Sequence, residues 1–263
     1  MPVKLRVGPM KRIVKKAMTY PYPLRLALAH KLRSAMRGFT RQHYFNCVKR
    51  AVDEAVPLGH KRLTVIEFGV AGGKGLMELE RICDYLEKRA PIEFDVVGFD
   101  TGKGLPPPTD YRDTPWKWQE GWYDMDVEKL QRSLQRSKLV LGPVSETVPA
   151  FLAGGLASPI GAVMFDLDYF SSTVDAMKIF SDSRPQDRLA RILCYFDDIG
   201  SIDDVGVLRA IRDFNDAHET LKVKPQMYWQ NLPDPFAAGW KIYDFHDFEH
   251  PDYTRPVRTE NIL

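Results

Sequence analysis

Four aspartates follow two short apolar stretches of the chain. Asp166 and Asp168 come after one of them, and Asp197 and Asp198 come directly after the other. Two unit charges about 4 Å apart repel by roughly 4 kcal/mol at an effective dielectric constant of about 20, so converging carboxylates need a cation or raised pKa values. Oxygen donors select a hard ion, magnesium before calcium or manganese. We therefore predict that Asp166, Asp197 and Asp198 bind Mg²⁺. The alternative is that Asp168 and Asp198 only cap the helices that follow. Of the four aspartates, Asp168 is the first expected to be only a cap.

A glycine-rich stretch, Glu67-Phe-Gly-Val-Ala-Gly-Gly-Lys-Gly, lies between a β-branched run and a segment with helical spacing. Glycines there permit a tight turn and let a ligand approach the backbone and the helix N-terminus. Asp100 ends the next apolar run, where a carboxylate is placed to accept hydrogen bonds from both ribose hydroxyls of an adenosine. A turn or a helix N-cap is the alternative role for Asp100. The predicted cofactor-binding residues are Glu67, Gly69, Ala71, Gly72, Gly73, Asp100 and Asp166.

Residues 102–125 show no clear periodicity and hold three of the five tryptophans, Trp116, Trp118 and Trp122. Loops of this length in a compact domain are typically lids, binding loops or disordered segments. We predict that the three tryptophans form a lid over the substrate, and the alternative is that they cover the edge of a sheet. An opposing wall is expected from Trp229, Asn231, Pro233 and Pro235.

Short β-branched runs alternate with helical segments from residue 63 onward, which is typical of a mostly parallel sheet with helices on both faces. Four of the five predicted parallel strands end in acidic residues, and the carboxyl ends of such strands meet at the ligand-binding edge of the sheet. We therefore expect an α/β, Rossmann-like, mostly parallel seven-stranded sheet. Its strands are predicted at 63–68, 94–100, 138–142, 160–166 and 191–197, with edge strands at 226–229 and 240–245 and helices at 126–136, 172–181 and 203–217.

The charges divide the chain into two parts. Residues 1–52 hold 13 Lys and Arg and no Asp or Glu, whereas the remainder carries a balance of −11. We predict a basic helical N-terminal arm, 1–52, and a Rossmann-like domain, 53–263. The arm is expected to pack on its own acidic domain or on a partner subunit of a homo-oligomer. The alternatives are an organelle transit peptide or a segment that binds an anionic membrane surface or nucleic acid. No RNP, zinc-finger or helix-turn-helix pattern supports nucleic acid as a partner.

The composition is that of a globular protein. Of 263 residues, 44% are hydrophobic and 27% are charged, close to the averages for folded domains. No apolar run reaches the roughly 18 residues of a membrane span, so no transmembrane segment is expected. Three cysteines without a CxxC spacing exclude a zinc ribbon and favour a reducing, cytoplasmic location.

Five stretches carry a resemblance to a known family. They are Val65-Ile-Glu-Phe-Gly-Val-Ala-Gly-Gly, Val97-Gly-Phe-Asp-Thr-Gly-Lys-Gly-Leu-Pro, Leu141-Gly-Pro-Val-Ser-Glu-Thr-Val-Pro, Phe165-Asp-Leu-Asp-Tyr-Phe-Ser-Ser-Thr and Phe196-Asp-Asp. The first two resemble motifs of class I S-adenosylmethionine-dependent methyltransferases. Together, over residues 63–245, the five resemble the macrocin-type (TylF-like) sugar O-methyltransferases. The resemblance implies S-adenosyl-L-methionine as cofactor, a divalent cation that is usually magnesium, and a small-molecule acceptor hydroxyl on a sugar or secondary metabolite.

The residues leave the proton acceptor open. No histidine lies between His60 and His218, so the histidine base expected for some members of the family is absent from the central region. The catalytic candidates are Asp166, as a metal-bound carboxylate, and Tyr169. One alternative function is a nicotinamide-dependent oxidoreductase, but the Tyr-x-x-x-Lys pattern of its short-chain members is missing. Another is a non-catalytic adenosine-binding or scaffold protein that docks through its basic arm.

Overall fold

The computed structural model of the chain describes residues 38–200, 204–227 and 241–257. Most of the predicted arm and the expected wall of Trp229, Asn231, Pro233 and Pro235 lie outside the described residues. The predictions made for those segments stay predictions.

Seven strands form one sheet: β1 (Arg62–Phe68), β2 (Glu93–Asp100), β3 (Lys138–Leu141), β4 (Ile160–Phe165), β5 (Arg188–Phe196), β6 (Leu221–Pro225) and β7 (Ile242–Asp247). Their order is β3-β2-β1-β4-β5-β7-β6. The first five strands pair in parallel, whereas β7 runs antiparallel to β5 and β6. The predicted seven-stranded, mostly parallel sheet is confirmed. The strand order reverses between β1 and β4, and ligands bind beside such a reversal in open α/β sheets.

The described helices form two groups that flank this sheet. They are α1 (Gln42–Ala55), α2 (Lys74–Glu87), α3 (Val127–Ser133), α4 (Val144–Ala153), α5 (Phe170–Ser181) and α6 (Gly206–Ala217). In one group α1 packs against α2, and in the other α5 packs between α4 and α6. Among the helices of the described ranges, none combines the length and the apolar composition that a bilayer span requires.

Helix α1 belongs to the core of the sheet domain. Its apolar residues recur at helical spacing, and Tyr44, Phe45, Val48 and Val52 are buried against the sheet. The helix packs mainly on β5 and β4, because three- and four-residue spacing places its apolar side chains on one face. The predicted division between residues 52 and 53 therefore falls inside α1. The sequence prediction assigned these residues to the arm because of the basic charge of residues 1–52 and did not use the apolar spacing of this helix.

Two edge elements differ from the sequence prediction. The strand expected at 226–229 is instead β6, which ends at Pro225, and Gln226 and Met227 follow it outside any strand. Lysines alternate with apolar residues along β6, as is typical of an edge strand that faces solvent. Because of these lysines the segment lacks the continuous apolar run by which the other strands were predicted. The last strand, β7, begins two residues later than its predicted start at residue 240.

Candidate functional site

The carboxyl ends of β1, β2, β4 and β5 open into one cavity of about 740 Å³. This volume lies within the usual range of small-molecule sites. Ten residues predicted for the site line the cavity: Glu67, Gly69, Ala71, Gly72, Asp100, Trp118, Asp166, Tyr169, Asp197 and Asp198. Gly73 does not line it, because the side chain of Leu130 occupies the space where a Cβ of residue 73 would stand.

The glycine loop after β1 is held by Asp100 at the end of β2. Asp100 Oδ2 accepts hydrogen bonds from the backbone N–H groups of Val70 and Ala71, both at 2.9 Å. Its Oδ1 accepts one from the N–H of Gly102 at 2.7 Å. A carboxylate offers about four lone-pair positions, so one remains free. Asp100 therefore holds the loop in the free protein, and its role as an acceptor of ribose hydroxyls stays a prediction.

Gly69 allows β1 and β4 to approach each other at the cavity. Its φ is +81°, and a Cβ there would stand 1.9 Å from the carbonyl oxygen of Asp166. We expect Gly69→Ala to lower the free energy of unfolding by about 1–3 kcal/mol, because the backbone must shift to relieve the overlap. Gly155→Ala is the control: its φ is +74° and no atom lies within 4 Å. Urea denaturation of both variants measures the difference, and equal losses would contradict the proposed overlap.

Carboxylates from two neighbouring strands converge on the other side of the loop. One oxygen from each of Asp166, Asp197 and Asp198 lies within 4.8 Å of the other two, and Asp168 lies close enough to Asp198 for the two charges to interact. The alternative role of Asp168 and Asp198 as helix caps is wrong. Helix α5 has Tyr169 at its N-cap, and α6 begins at Gly206, well beyond Asp198.

Three cations of the chain already surround this cluster. Lys241 Nζ lies 2.7 Å from Asp197 Oδ1, Arg41 Nη1 lies 3.6 Å from Asp166 Oδ2, and Lys117 Nζ lies 4.0 Å from Asp198 Oδ1. The hydroxyl of Tyr195 also donates to Asp197. Part of the repulsion that the sequence predicts is thus offset within the chain, by residues that come from four separate segments.

The pKa values of the carboxyl groups separate accordingly. Burial, followed by the charge of Asp197, raises the pKa of Asp166 to about 7. Burial, followed by the charge of Asp198, raises that of Asp168 to about 8. Burial opposes ionisation of Asp197, but hydrogen bonds from Lys241 and Tyr195 outweigh it and lower its pKa. A further cation at this point would favour the ionised form of every member.

Tyr169, the second catalytic candidate, lines the cavity at the start of α5. Its hydroxyl is buried and has no hydrogen-bond partner among the described residues. Burial, helped by the charge of Asp113, raises its pKa. The group therefore stays protonated near neutral pH and is available as a hydrogen-bond donor.

The aromatic loop brings one of the three predicted lid tryptophans to the cavity. Trp118 lines the cavity together with Tyr123. Trp116 and Trp122 do not line it, and 70% and 44% of their surfaces are exposed. Their exposure contradicts the alternative of rings sealed into the sheet edge, whereas the place of these two tryptophans in a lid stays a prediction. The left-handed backbone of Tyr123, with φ +66°, is an arrangement that non-glycine residues adopt at a cost and often at functional sites.

The loop is tied down at its two ends and at its middle. The N–H of Leu105 donates to the carbonyl of Trp122 at 2.8 Å, and the N–H of Gly121 donates to the carbonyl of Leu105 at 2.9 Å. The buried carboxylate of Asp113 accepts four hydrogen bonds, from the backbone N–H and hydroxyl groups of Thr109 and Ser171. Ser171 lies in the first turn of α5, so the loop is joined directly to the site.

Sequence reasoning missed the residues that α1 brings to the site. Tyr44 donates its hydroxyl hydrogen to Glu67 Oε1 at 2.6 Å, and Arg41, one residue before the helix, lines the cavity. His43 stacks on Tyr195 with ring centroids 4.1 Å apart. Burial and the charge of Arg41 lower its pKa to about 3. The apolar spacing of α1 was the available signal, and it was grouped with the basic arm.

Comparisons with known proteins bear on the fold. No protein-family model matches the chain, and no curated protein matches it. Among solved structures, the calicheamicin methyltransferase CalS11 is similar with a TM-score of 0.52 at 18% identity, over 94% of each chain. An apo structure of CalS11, described as a TDP-rhamnose 3′-O-methyltransferase, gives a TM-score of 0.47 at 21% identity, over 94% of this chain and 96% of that one. The chain therefore shares its Rossmann-like α/β fold with the CalS11 methyltransferase.

Proposed function

We propose that the protein transfers the methyl group of S-adenosyl-L-methionine to a hydroxyl of a small-molecule acceptor such as a sugar or secondary metabolite, with Mg²⁺ bound by Asp166, Asp197 and Asp198. One observation carries this proposal: the glycine loop and the three aspartates line the same cavity. A donor and an acceptor bound there would lie next to each other, and methyl transfer needs little else beyond their in-line positioning. The fold shared with CalS11, a methyltransferase, adds support.

The donor half of the cavity fits an adenosyl group. The Cβ position of Gly72 is open, with no atom within 4 Å, so a ligand can approach the backbone there. Asp100 keeps one free lone-pair position for a ribose hydroxyl. Glu67 Oε2 is buried without a hydrogen-bond partner among the described residues, which suits a ligand group that donates a hydrogen bond.

The acidic half fits a magnesium ion by the chemistry of its donors. Mg²⁺ prefers oxygen ligands in an octahedral arrangement, and three carboxylate oxygens lie close enough to share one ion. When bound, the ion would hold neighbouring acceptor oxygens and lower the pKa of the attacking hydroxyl. Lys241 and Tyr195 fix the orientation of Asp197 by their hydrogen bonds.

We assign the proton acceptor to Asp166 rather than to Tyr169. The backbone carbonyl of Asp166 packs against Gly69 of the glycine loop. Its side chain belongs to the cluster that it forms with Asp197 and Asp198. It therefore lies where donor and acceptor would meet. Tyr169, whose hydroxyl stays protonated, would donate a hydrogen bond to an acceptor oxygen. Trp118 and Tyr123 would supply the apolar wall against which the acceptor packs.

Calorimetric titration with S-adenosylhomocysteine, with and without Mg²⁺, tests the proposal. We expect one molecule to bind per chain in both titrations. NADH is the matched comparison ligand, since it also carries an adenosine but serves the oxidoreductase alternative. Binding of NADH with no binding of S-adenosylhomocysteine would reject the methyltransferase assignment.

A further inference from the structure

Arg41 occupies a defined position at the border between the two halves of the cavity. Its Nη1 donates to the hydroxyl oxygen of Tyr44 at 3.2 Å, and its guanidinium carbon lies 4.9 Å from the centre of that ring. The same Nη1 is 3.6 Å from Asp166 Oδ2. Tyr44 in turn donates to Glu67. One guanidinium thus stands beside a carboxylate of each half, held by a fully buried tyrosine.

The charge around the cavity makes this guanidinium unusual. Seven acidic residues line the cavity, but only two basic ones among the described residues do, Arg41 and Lys74. Lys117 and Lys241 offset the charges of Asp198 and Asp197 without lining the cavity, so a ligand group with negative charge would find its cation at Arg41 or Lys74. Lys74 is exposed at the start of α2, whereas Arg41 is half-buried and fixed. Since S-adenosylmethionine carries both an α-carboxylate and an α-ammonium, the carboxylate needs a cation in a largely acidic enclosure.

We propose that Arg41 binds the α-carboxylate of the methyl donor, while the unpartnered Oε2 of Glu67 accepts a hydrogen bond from the neighbouring α-ammonium. The proposal rests on the methyl-donor function proposed above. A guanidinium presents its N–H groups in a planar fork that matches a carboxylate. Arg41 and Glu67 are linked through the hydroxyl of Tyr44, so the cation and the hydrogen-bond acceptor that match a zwitterion are held together. Tyr44 is then a positioning residue, which touches neither charged group of the ligand.

Two ligands that differ by one carboxylate isolate this contact. Calorimetry with S-adenosylhomocysteine and with its decarboxylated analogue, which retains the amine, gives two dissociation constants for each protein. We expect Arg41→Ala and the closer replacement Arg41→Gln to weaken S-adenosylhomocysteine binding by about 10–100-fold, the usual effect of losing a charged hydrogen bond. The affinity for the decarboxylated analogue should stay within about threefold of the wild-type value, because that ligand has no carboxylate to lose. Lys74→Ala is the matched control, since it removes the other cation of the cavity.

The outcomes are distinct. Equal weakening of both ligands in the Arg41 variants would overturn the proposal and leave Arg41 as a counter-ion of Asp166. A carboxylate-specific loss in Lys74→Ala instead would move the contact to Lys74 and equally overturn it. If the wild-type protein binds neither ligand, the methyl-donor function itself fails.

Tyr44→Phe examines the positioning role. It removes the hydroxyl that links Arg41 to Glu67 and keeps the ring beneath the guanidinium. We expect the preference for S-adenosylhomocysteine over its decarboxylated analogue, taken as the ratio of their dissociation constants, to fall by about three- to tenfold. The reason is that the Arg41 guanidinium is no longer held in a fixed position relative to Glu67. A purely structural role would lower the stability of the protein and leave that ratio unchanged, and such a result would remove Tyr44 from the proposal.

Discussion

Asp166→Ala should lower kcat by roughly 10²–10⁴-fold, the range expected when a proton acceptor and metal ligand is removed. The affinity for S-adenosylhomocysteine should change by less than about tenfold, because the glycine loop and Asp100 remain to bind the adenosyl group. Methyl transfer from labelled S-adenosylmethionine measures the first effect and calorimetry the second. The separation of the two effects is the informative result, since a general loss of structure would reduce both.

A matched control and a metal readout complete that experiment. Asp175→Asn also removes an acid that lines the cavity, but Asp175 is paired with Lys178 on α5 and lies outside the cluster. It should retain activity. Mn²⁺, used as a paramagnetic substitute for Mg²⁺, should bind the wild-type protein and Asp175→Asn but not Asp166→Ala. Turnover that survives exhaustive chelation would rule out the metal role of the three aspartates.

Asp100→Ala should weaken S-adenosylhomocysteine binding by about 100-fold, since it removes a charged hydrogen bond to the ribose, worth about 1.5–3 kcal/mol. The three backbone N–H groups of Val70, Ala71 and Gly102 lose their partner in the variant, so the glycine loop is no longer held in the conformation described above. The expected loss therefore lies toward the upper end of the range for one charged hydrogen bond.

Asp100→Asn provides the graded comparison. An amide oxygen still accepts the hydrogen bonds of Val70 and Ala71, whereas the amide nitrogen opposes the N–H of Gly102. We expect its affinity for S-adenosylhomocysteine to fall between those of the wild-type protein and Asp100→Ala. If both variants bind as the wild-type protein does, Asp100 is a turn residue without a part in donor binding.

The sequence was sufficient to predict the meeting of the acids because parallel strands impose it. Asp100, Asp166 and Asp197 each follow a strand of the same direction, and a shared direction places their carboxylates at one edge. No side-chain detail is needed for that inference. The same reasoning located the glycine loop, because a loop between a central strand and its helix must open at that edge.

The contribution of α1 could not be predicted in the same way. Its residues come before β1, and no strand direction fixes where a preceding helix packs. Arg41 reaches Asp166 across more than a hundred residues of sequence, through packing of α1 on β4 and β5 that only the folded chain displays. The hydrogen bonds by which Asp100 holds the glycine loop could not be predicted for a related reason: they depend on backbone N–H directions in the loop, which composition does not reveal.

The bridge between Leu105 and residues 121–122 has a consequence for how this protein could change its specificity. Because backbone hydrogen bonds join the ends of the loop to each other, residues 106–120 form a closed loop. The number of residues in it can therefore change without moving the two points at which it leaves the domain. Doubling the length of such a closed loop costs only about 0.6 kcal/mol in chain entropy. Insertions and exchanges there should therefore be tolerated as long as Asp113 keeps its bonds to α5. Under the proposed function, exchanges in this segment would alter the preference for the acceptor and leave the proposed methyl-donor half of the cavity unchanged.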